Sequence, residues 1–276
     1  MNTLFDYYPD KQEKPLEKIL PNGGMCAIFH KIAVVGDSLS AGEFESLEDG
    51  GKIEYRDFYE QSWGEYLARL TGAEVVNFSR GGMTAMEYCE EWAERNGFWD
   101  PKYQSEAYIV ALGVNDLCNY EHPVGSIEDI CREDWRKNNR SFIGYYAQIL
   151  QRYREISPKS MFFLTTIPRQ QSRIEQGQGK WIEAQKKAVE EIAAFFENTY
   201  VLDLYTYAPP YDEEFEKNFF LGGHMAPAGY LFTSRMIAAY IDFIIRNRPE
   251  EFKEAGFILT PYQYDETKKF PFRLYL

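Results

Sequence analysis

The sequence predicts an α/β protein with three layers, in which helices cover both faces of a doubly wound, parallel, five-stranded sheet. Five short apolar runs are continuous rather than alternating, as in strands buried on both faces; residues 32–35 (IAVV) and 107–113 (AYIVALG) are the clearest. Stretches with helical spacing of apolar residues separate these runs. Such alternation is typical of parallel strands joined by right-handed crossovers.

The predicted elements alternate along the chain. Strands are expected at residues 32–35, 74–78, 107–113, 160–167 and 200–204, and helices at residues 61–71, 85–96, 142–156, 181–195 and 227–244. Gly72 and Gly97 mark helix ends, and Pro227 is favoured in a first helical turn. Residues 41–61 and 117–139 are expected to be long loops over one sheet edge, and residues 170–179 a polar loop.

Composition limits the class of protein. The 276 residues, 45% of them hydrophobic, can form one large core. We expect residues 1–30 to be an N-terminal arm and residues 31–276, including a tail at 249–276, to be a single domain. The net charge of −13 argues against nucleic-acid and anionic-membrane partners. No stretch approaches the ~20 apolar residues of a transmembrane helix, the N-terminus does not resemble a signal peptide, and four scattered cysteines suit the cytoplasm.

The arrangement of the strands predicts where a site would lie. For five such strands we expect the flavodoxin-like order 2-1-3-4-5, whose switch point lies between the first and third strands. Ser38 follows the first strand in the turn Gly36-Asp37-Ser38, and Asn115 follows the third strand. Both side chains should therefore face one crevice at the carboxyl edge of the sheet.

The residue types at this edge suit acyl transfer. A serine becomes a nucleophile only beside a base, and the developing oxyanion needs fixed hydrogen-bond donors. His224, in the glycine-rich stretch LGGHMAPAGY, follows the fifth strand and reaches the same edge. Gly82 and Asn115 follow the second and third strands and offer a backbone N–H and a side-chain amide. Asp37 is expected to support the turn by accepting hydrogen bonds from nearby amides.

Four motifs along the chain together resemble the SGNH hydrolases, also called GDSL esterases. They are GDSLS at 36–40, NFSRGG at 77–82, GVND at 113–116, and GGH with PAGY around His224. The resemblance implies Ser38 as nucleophile, His224 as general base, and Gly82 and Asn115 with the Ser38 amide as the oxyanion hole. The family usually has an aspartate three residues before the histidine, and this chain has Leu221 there.

The orientation of His224 therefore needs another acceptor. We expect the main-chain carbonyl of Leu221 to hold Nδ1–H, as part of a Ser38–His224 dyad. A carbonyl brings no negative charge, so the pKa of His224 should not be raised by a partner. The competing acceptors are the acidic side chains of the preceding stretch, Asp212, Glu213, Glu214 and Glu216.

The expected function is a serine esterase that needs no metal or cofactor and removes short acyl groups, above all acetyl, from carbohydrates. Aromatic side chains mixed with carboxylates suit sugar rings, and the predicted edge loops contain Tyr55, Phe58, Tyr59, Tyr120, Trp135, Tyr207, Tyr211, Phe219 and Phe220. A thioesterase or lysophospholipase on the same scaffold is the alternative, and it would need an extended apolar groove. A binding module without turnover is the rival of another class.

Overall fold

The computed structural model describes residues 12–265 and Thr267. The strands, numbered along the chain, are β1 (Lys31–Gly36), β2 (Phe44–Leu47), β3 (Ile53–Arg56), β4 (Glu74–Asn77), β5 (Ala107–Ala111), β6 (Met161–Thr165), β7 (Thr199–Leu202), β8 (Phe220–Leu221) and β9 (His224–Met225). The α-helices are α1 (Ser38–Ala41), α2 (Trp63–Thr71), α3 (Ala85–Glu87), α4 (Ala93–Asn96), α5 (Phe142–Ile156), α6 (Gln171–Glu175), α7 (Gly179–Phe195), α8 (Leu204–Tyr207), α9 (Glu213–Phe219) and α10 (Pro227–Asn247). A π-helical turn, Tyr88–Trp92, joins α3 to α4, and a second one, Val114–Asn119, follows β5.

Five parallel strands form the central sheet in the order β4-β1-β5-β6-β7. Counted in chain order within the sheet, this is 2-1-3-4-5, so the predicted fold class and strand order are confirmed. Ile32 of β1 lies between Val75 of β4 and Ala107 of β5. β5 and β6 end earlier than predicted, and the apolar residues beyond them, Leu112 and Ile167, line a cavity at the sheet edge.

A separate hydrophobic core lies on each face of the sheet. Ile32 and Val34 of β1 pack with α2 and α10, whereas Ala33 and Val35 pack with α5 and α7. Successive residues of a strand point to opposite faces, so a strand between two cores must be apolar throughout. The continuous apolar runs of the sequence have this cause, and the three layers follow from it.

The segment predicted as a loop over residues 41–61 contains an antiparallel hairpin instead. β2 and β3 pair from Phe44 with Arg56 to Leu47 with Ile53. The turn uses Gly50 and Gly51, with φ of 89° and 82°, a region that glycine adopts without steric cost. Few apolar residues mark the hairpin in the sequence because it lies over the sheet edge, outside both cores.

Two other predicted loops also contain regular structure. The polar stretch at residues 170–179 includes the short helix α6, and the acidic stretch before His224 forms α9. β8 and β9 then make a small hairpin that pairs Leu221 with His224. These elements bring side chains from late in the chain to the carboxyl edge of the sheet.

The described part of the predicted N-terminal arm packs on the fold. Cys26 and Phe29 are buried in the core beside α2 and α10. The Met25 N–H donates to the Asp242 carboxylate of α10 over 2.8 Å. Residues 1–11, and the predicted tail beyond 265 except for Thr267, lie outside the described residues. The domain boundaries stay a prediction.

The helix α10 corrects the expectation about membrane spans. Its 21 residues are long and apolar enough to cross a membrane by length and composition. Of its most apolar window, 72% is buried inside the protein, where Tyr230, Met236 and Ile237 belong to the core. A core helix passes the same test, and packing of α10 against the sheet accounts for its apolar character.

Candidate active site

Ser38 is held at the carboxyl end of β1 by a tight turn into α1. The Asp37 carboxylate accepts a hydrogen bond from the Leu39 N–H over 3.2 Å, as expected for this supporting residue. At Gly36, a side-chain carbon would lie 2.1 Å from Oγ of Ser40, so the turn requires glycine there. Ser38, the first residue of α1, is half-buried and faces the sheet edge.

A cavity of about 580 Å³ lies at this edge. It is lined by all four residues predicted to take part in the chemistry, Ser38, Gly82, Asn115 and His224. Leu221, in contrast, is 59% exposed and is not among the lining residues. The fold thus gathers the predicted nucleophile, base and oxyanion donors, which come from four separate parts of the chain, in one concave site.

The two candidate oxyanion donors are linked through the turn after β4. Gly82 has φ of 72°, and the space around its α-carbon is open. Asn115, only 8% exposed, donates from Nδ2 to the carbonyl of Met83 over 3.0 Å. Its Oδ1 accepts from Nδ2 of Asn119 over 2.7 Å, which fixes the orientation of the amide. A second N–H on Nδ2 remains for an oxyanion.

Two glutamates, and not the predicted acceptors, surround His224. Nε2 of the imidazole lies 2.9 Å from Oε1 of Glu43, and Nδ1 lies 3.7 Å from Oε1 of Glu45. Nδ1 is buried and makes no hydrogen bond within the described residues. The prediction that the Leu221 carbonyl accepts from Nδ1 is therefore wrong for this structure.

The acids before His224 have other roles. Asp212 caps α9 by accepting from the Phe215 N–H over 2.9 Å. Glu216 accepts from Gln170 and Ser172. Within the described part of the chain, no ion pair joins His224 to any acid of this stretch, because the helix α9 directs them elsewhere.

Glu43 and Glu45 were not predicted as site residues because they lie in the segment predicted as a loop. Their spacing of two residues is the available signal, since side chains two positions apart in extended chain lie on the same side; Glu45 lies in β2 and Glu43 directly precedes it. Glu45 also accepts from the Gly223 N–H over 2.8 Å and so ties β2 to the histidine loop, which is the β8–β9 hairpin at residues 220–225. Glu43 packs against Gly81, where a side-chain carbon would lie 1.7 Å from its Oε2.

The charges around His224 set its pKa. Burial by itself would lower the pKa from its ordinary value, but the hydrogen bond and charge of Glu43 and the charges of Glu45 and Asp37 outweigh it. The net effect raises the pKa, contrary to the sequence prediction. For the carboxyl of Asp37, burial acts in the other direction and raises the pKa to about 6.

The hydrogen bond between the serine Oγ and the histidine imidazole, by which a serine–histidine pair activates its nucleophile, is not formed in this structure. Within the described residues, no hydrogen bond joins Oγ of Ser38 to His224, whose Nε2 contacts Glu43 instead. Catalytic hydrogen bonds often tighten only when substrate is bound. The site has the components of acyl transfer, with the histidine held towards a carboxylate.

Only some of the predicted aromatic residues reach the cavity. Tyr55, Tyr211 and Phe220 line it, and the Tyr55 ring lies 5.8 Å from the His224 ring, centroid to centroid. Outside the lining are Phe58, Tyr59, Tyr120, Trp135, Tyr207 and Phe219. Several of these make contacts elsewhere: Trp135, for example, donates to Glu155, and Phe219 stacks on Phe232.

Comparisons with known proteins agree with this fold. The model of the GDSL-like lipase/acylhydrolase family matches residues 34–231. A family two carbohydrate esterase from Clostridium thermocellum, solved with cellohexaose, is 17% identical with a TM-score of 0.54, over 87% of this chain and 66% of its own. The corresponding enzyme from Cellvibrio japonicus is 16% identical with a TM-score of 0.53, over 78% and 61%.

A third solved structure, a protein from Lactobacillus plantarum, is 16% identical with a TM-score of 0.56, over 78% of this chain and 97% of its own. A search of curated proteins found no match. At these identities the solved structures share the fold with this chain.

Proposed function

The chain belongs to the GDSL-like lipase/acylhydrolase family, as its motifs predicted, and from that membership we propose that it is a serine esterase that removes short acyl groups from carbohydrates. The observation that carries the proposal is the convergence of Ser38, Gly82, Asn115 and His224 on one cavity. Each supplies a function that ester hydrolysis requires.

In the proposed reaction, Oγ of Ser38 bonds to the acyl carbon while its proton passes to Nε2 of His224. The amides of Ser38 and Gly82 and the side chain of Asn115 stabilise the oxyanion. When the intermediate collapses, the bond to the alcohol breaks and the alcohol takes the proton from His224. Water, activated by the same imidazole, then releases the acid from Ser38.

The two glutamates have different positions in this reaction. Glu43 occupies Nε2, so its carboxylate or the imidazole must rotate before Nε2 can accept the Ser38 proton. Glu45 lies beside Nδ1, the position of the acid in a serine–histidine–acid triad. We assign Glu45 the role of stabilising the imidazolium, in place of the aspartate that the family usually has at the position of Leu221.

An exposed aromatic ring and two carboxylates at the cavity support a carbohydrate as the substrate. Tyr55, with 62% of its surface exposed, stands beside His224 and offers a face for a sugar ring. Glu43 and Glu45 supply acceptors for hydroxyl groups. The family two carbohydrate esterases share this fold, and one was solved with cellohexaose.

A longer acyl group is the second candidate. The inner wall of the cavity includes the apolar side chains of Trp63, Leu204, Met225 and Ile237, which belong to the core between the sheet and α10. Such a wall suits the chain of a thioester or lysophospholipid. The two candidates differ in the acyl length that the enzyme prefers.

The test uses aryl esters of increasing acyl length together with acetylated saccharides. We expect a burst of phenolate with the acetate, a covalent acyl group on Ser38, and faster turnover of short than of long esters. Ser38→Ala should abolish both the burst and the label. A preference for long chains would favour the lipid candidate, and the absence of any burst or label would favour a binding module.

A further inference from the structure

Arg173 is a cation in the wall of the catalytic cavity. It lies on α6 and is the one arginine or lysine among the described residues that line the cavity, next to residues such as Asn115 and Asn119. The acids of the lining are Asp37, Glu43 and Glu45, and the latter two surround His224. The cavity therefore carries negative charge around the histidine and a positive charge on α6.

The guanidinium is held by neutral groups only. Nε donates to Oε1 of Gln170 over 2.9 Å, and Nη1 donates to Oε1 of Gln178 over 3.0 Å and to Oδ1 of Asn119 over 3.4 Å. No carboxylate of the described residues lies within ion-pair distance of it. Nη2 makes no hydrogen bond within the same part of the chain. The side chain is thus oriented without an ion-pair partner among these residues, and its charge acts beyond ion-pair distance on the buried carboxylate of Asp37.

The same contacts tie Arg173 to the reaction centre. Asn119, which accepts from Nη1, donates from its Nδ2 to Oδ1 of Asn115 over 2.7 Å. Asn115 is the proposed side-chain donor of the oxyanion hole. A group bound at Arg173 is therefore held in a defined relation to the ester carbonyl through two amide side chains.

We propose that Arg173 forms a subsite for a carboxylate of the substrate, so that acidic saccharides with a free carboxylate and an acylated hydroxyl, such as O-acetylated uronates, are preferred over neutral ones. This inference rests on the proposed function. The two N–H groups of Nη2 remain free to donate to a carboxylate, and a charge-assisted hydrogen bond is stronger than a neutral one. The carboxylates near His224 repel an anion, so they direct it towards Arg173.

Binding of unacylated sugars tests the subsite without requiring turnover. Calorimetry at matched ionic strength would compare glucuronate with glucose on the full chain. We expect the wild type to bind glucuronate about 10- to 100-fold more tightly, the gain typical of a hydrogen bond to a charged group. In Arg173→Gln this preference should disappear, and Arg173→Lys should keep part of it.

Arg169→Gln is the matched control. Arg169 lies four positions earlier, outside the cavity lining, with its guanidinium over the Tyr205 ring at 5.9 Å. The variant makes the same change in net charge and should keep the preference for glucuronate. Equal binding of the two sugars by the wild type, or an unchanged preference in Arg173→Gln, would overturn the subsite.

Kinetics separate this inference from the proposed function. We expect Arg173→Gln to lower kcat/KM for an acetylated methyl glucuronide at least about tenfold more than it lowers kcat/KM for the acetylated methyl glucoside. An equal loss with both esters would mean that Arg173 only positions Asn115. If neither ester is hydrolysed while glucuronate binding depends on Arg173, the esterase proposal fails and the subsite stands.

Discussion

Asn115 is the residue at which catalysis and local structure can be separated. Asn115→Ala removes the proposed oxyanion donor together with the hydrogen bonds to Met83 and from Asn119. We expect kcat to fall ~10²–10³-fold, as for loss of one such donor in other enzymes, with KM changing less. Steady-state kinetics with an aryl acetate would measure it.

Thermal unfolding of the same variant provides the control. Loss of the two hydrogen bonds should lower the free energy of unfolding by about 1–2 kcal/mol and leave the fold intact. Normal specific activity in a variant that melts at lower temperature would make Asn115 a structural turn residue and contradict its place in the oxyanion hole.

The charges of the two glutamates beside His224 should make the activity depend on pH. Their charges raise the pKa of the imidazole above its ordinary value of 6.5, and a general base must be unprotonated, so activity should rise with pH and reach half its maximum above that value. Glu43→Gln removes the main interaction that raises the pKa of His224. The rising limb of the kcat/KM profile should therefore move to lower pH.

Glu45→Gln should lower the plateau of that profile more than Glu43→Gln does. Glu45 lies on the Nδ1 side, where neutralising a triad acid with the fold unchanged costs as much as ~10⁴-fold in kcat. Glu214→Gln, on the exposed face of α9, is the control and should leave the profile unchanged. A profile unaffected by either glutamate substitution would remove both residues from the mechanism.

At the scale of elements, the contact between the β2–β3 hairpin and the histidine loop decides whether the site is assembled. Gly222 has φ of 66°, and a side-chain carbon there would lie 2.7 Å from Oε2 of Glu45. Gly222→Ala should therefore displace Glu45 and lower kcat/KM, besides costing about 1–2 kcal/mol of stability for the left-handed conformation. Kinetics and thermal unfolding would measure the two effects.

Gly97→Ala isolates the cost of the backbone conformation. Gly97 has the same φ of 66° at the end of α4, with no atom within contact distance of an added side-chain carbon. We expect a similar loss of stability and unchanged activity. If both variants kept full activity, the contact between Glu45 and the histidine loop would not be needed for catalysis.

These edge elements were also the hardest to predict. A hairpin outside both cores has no apolar periodicity, so residues 41–61 give no strand signal apart from the pair of glycines at its turn. The short helices α6 and α9 are likewise polar. The side chains that surround His224 and the cation of the cavity come from such elements, which is why Glu43, Glu45 and Arg173 were not foreseen.

At the scale of the whole molecule, burial explains what could be predicted. A five-stranded sheet between two cores requires apolar residues on both faces of its strands. The sequences of β1, β5 and β6 meet this requirement as continuous apolar runs. The crossover rule then limits the strand order and directs the ends of the parallel strands to one edge.

The sequence by itself therefore determined the fold class, the edge of the sheet at which the candidate site lies, and the gathering there of Ser38, Gly82, Asn115 and His224, because local burial and motifs carry these features. Only the tertiary structure decided the partner of the histidine. That choice depends on which acidic side chain approaches the imidazole from a distant part of the chain; the hydrogen bond from Gly223, next to the histidine, to Glu45 joins residues 178 positions apart. Such a long-range contact has no periodicity in the sequence, and the packing of a polar hairpin over the sheet edge sets it.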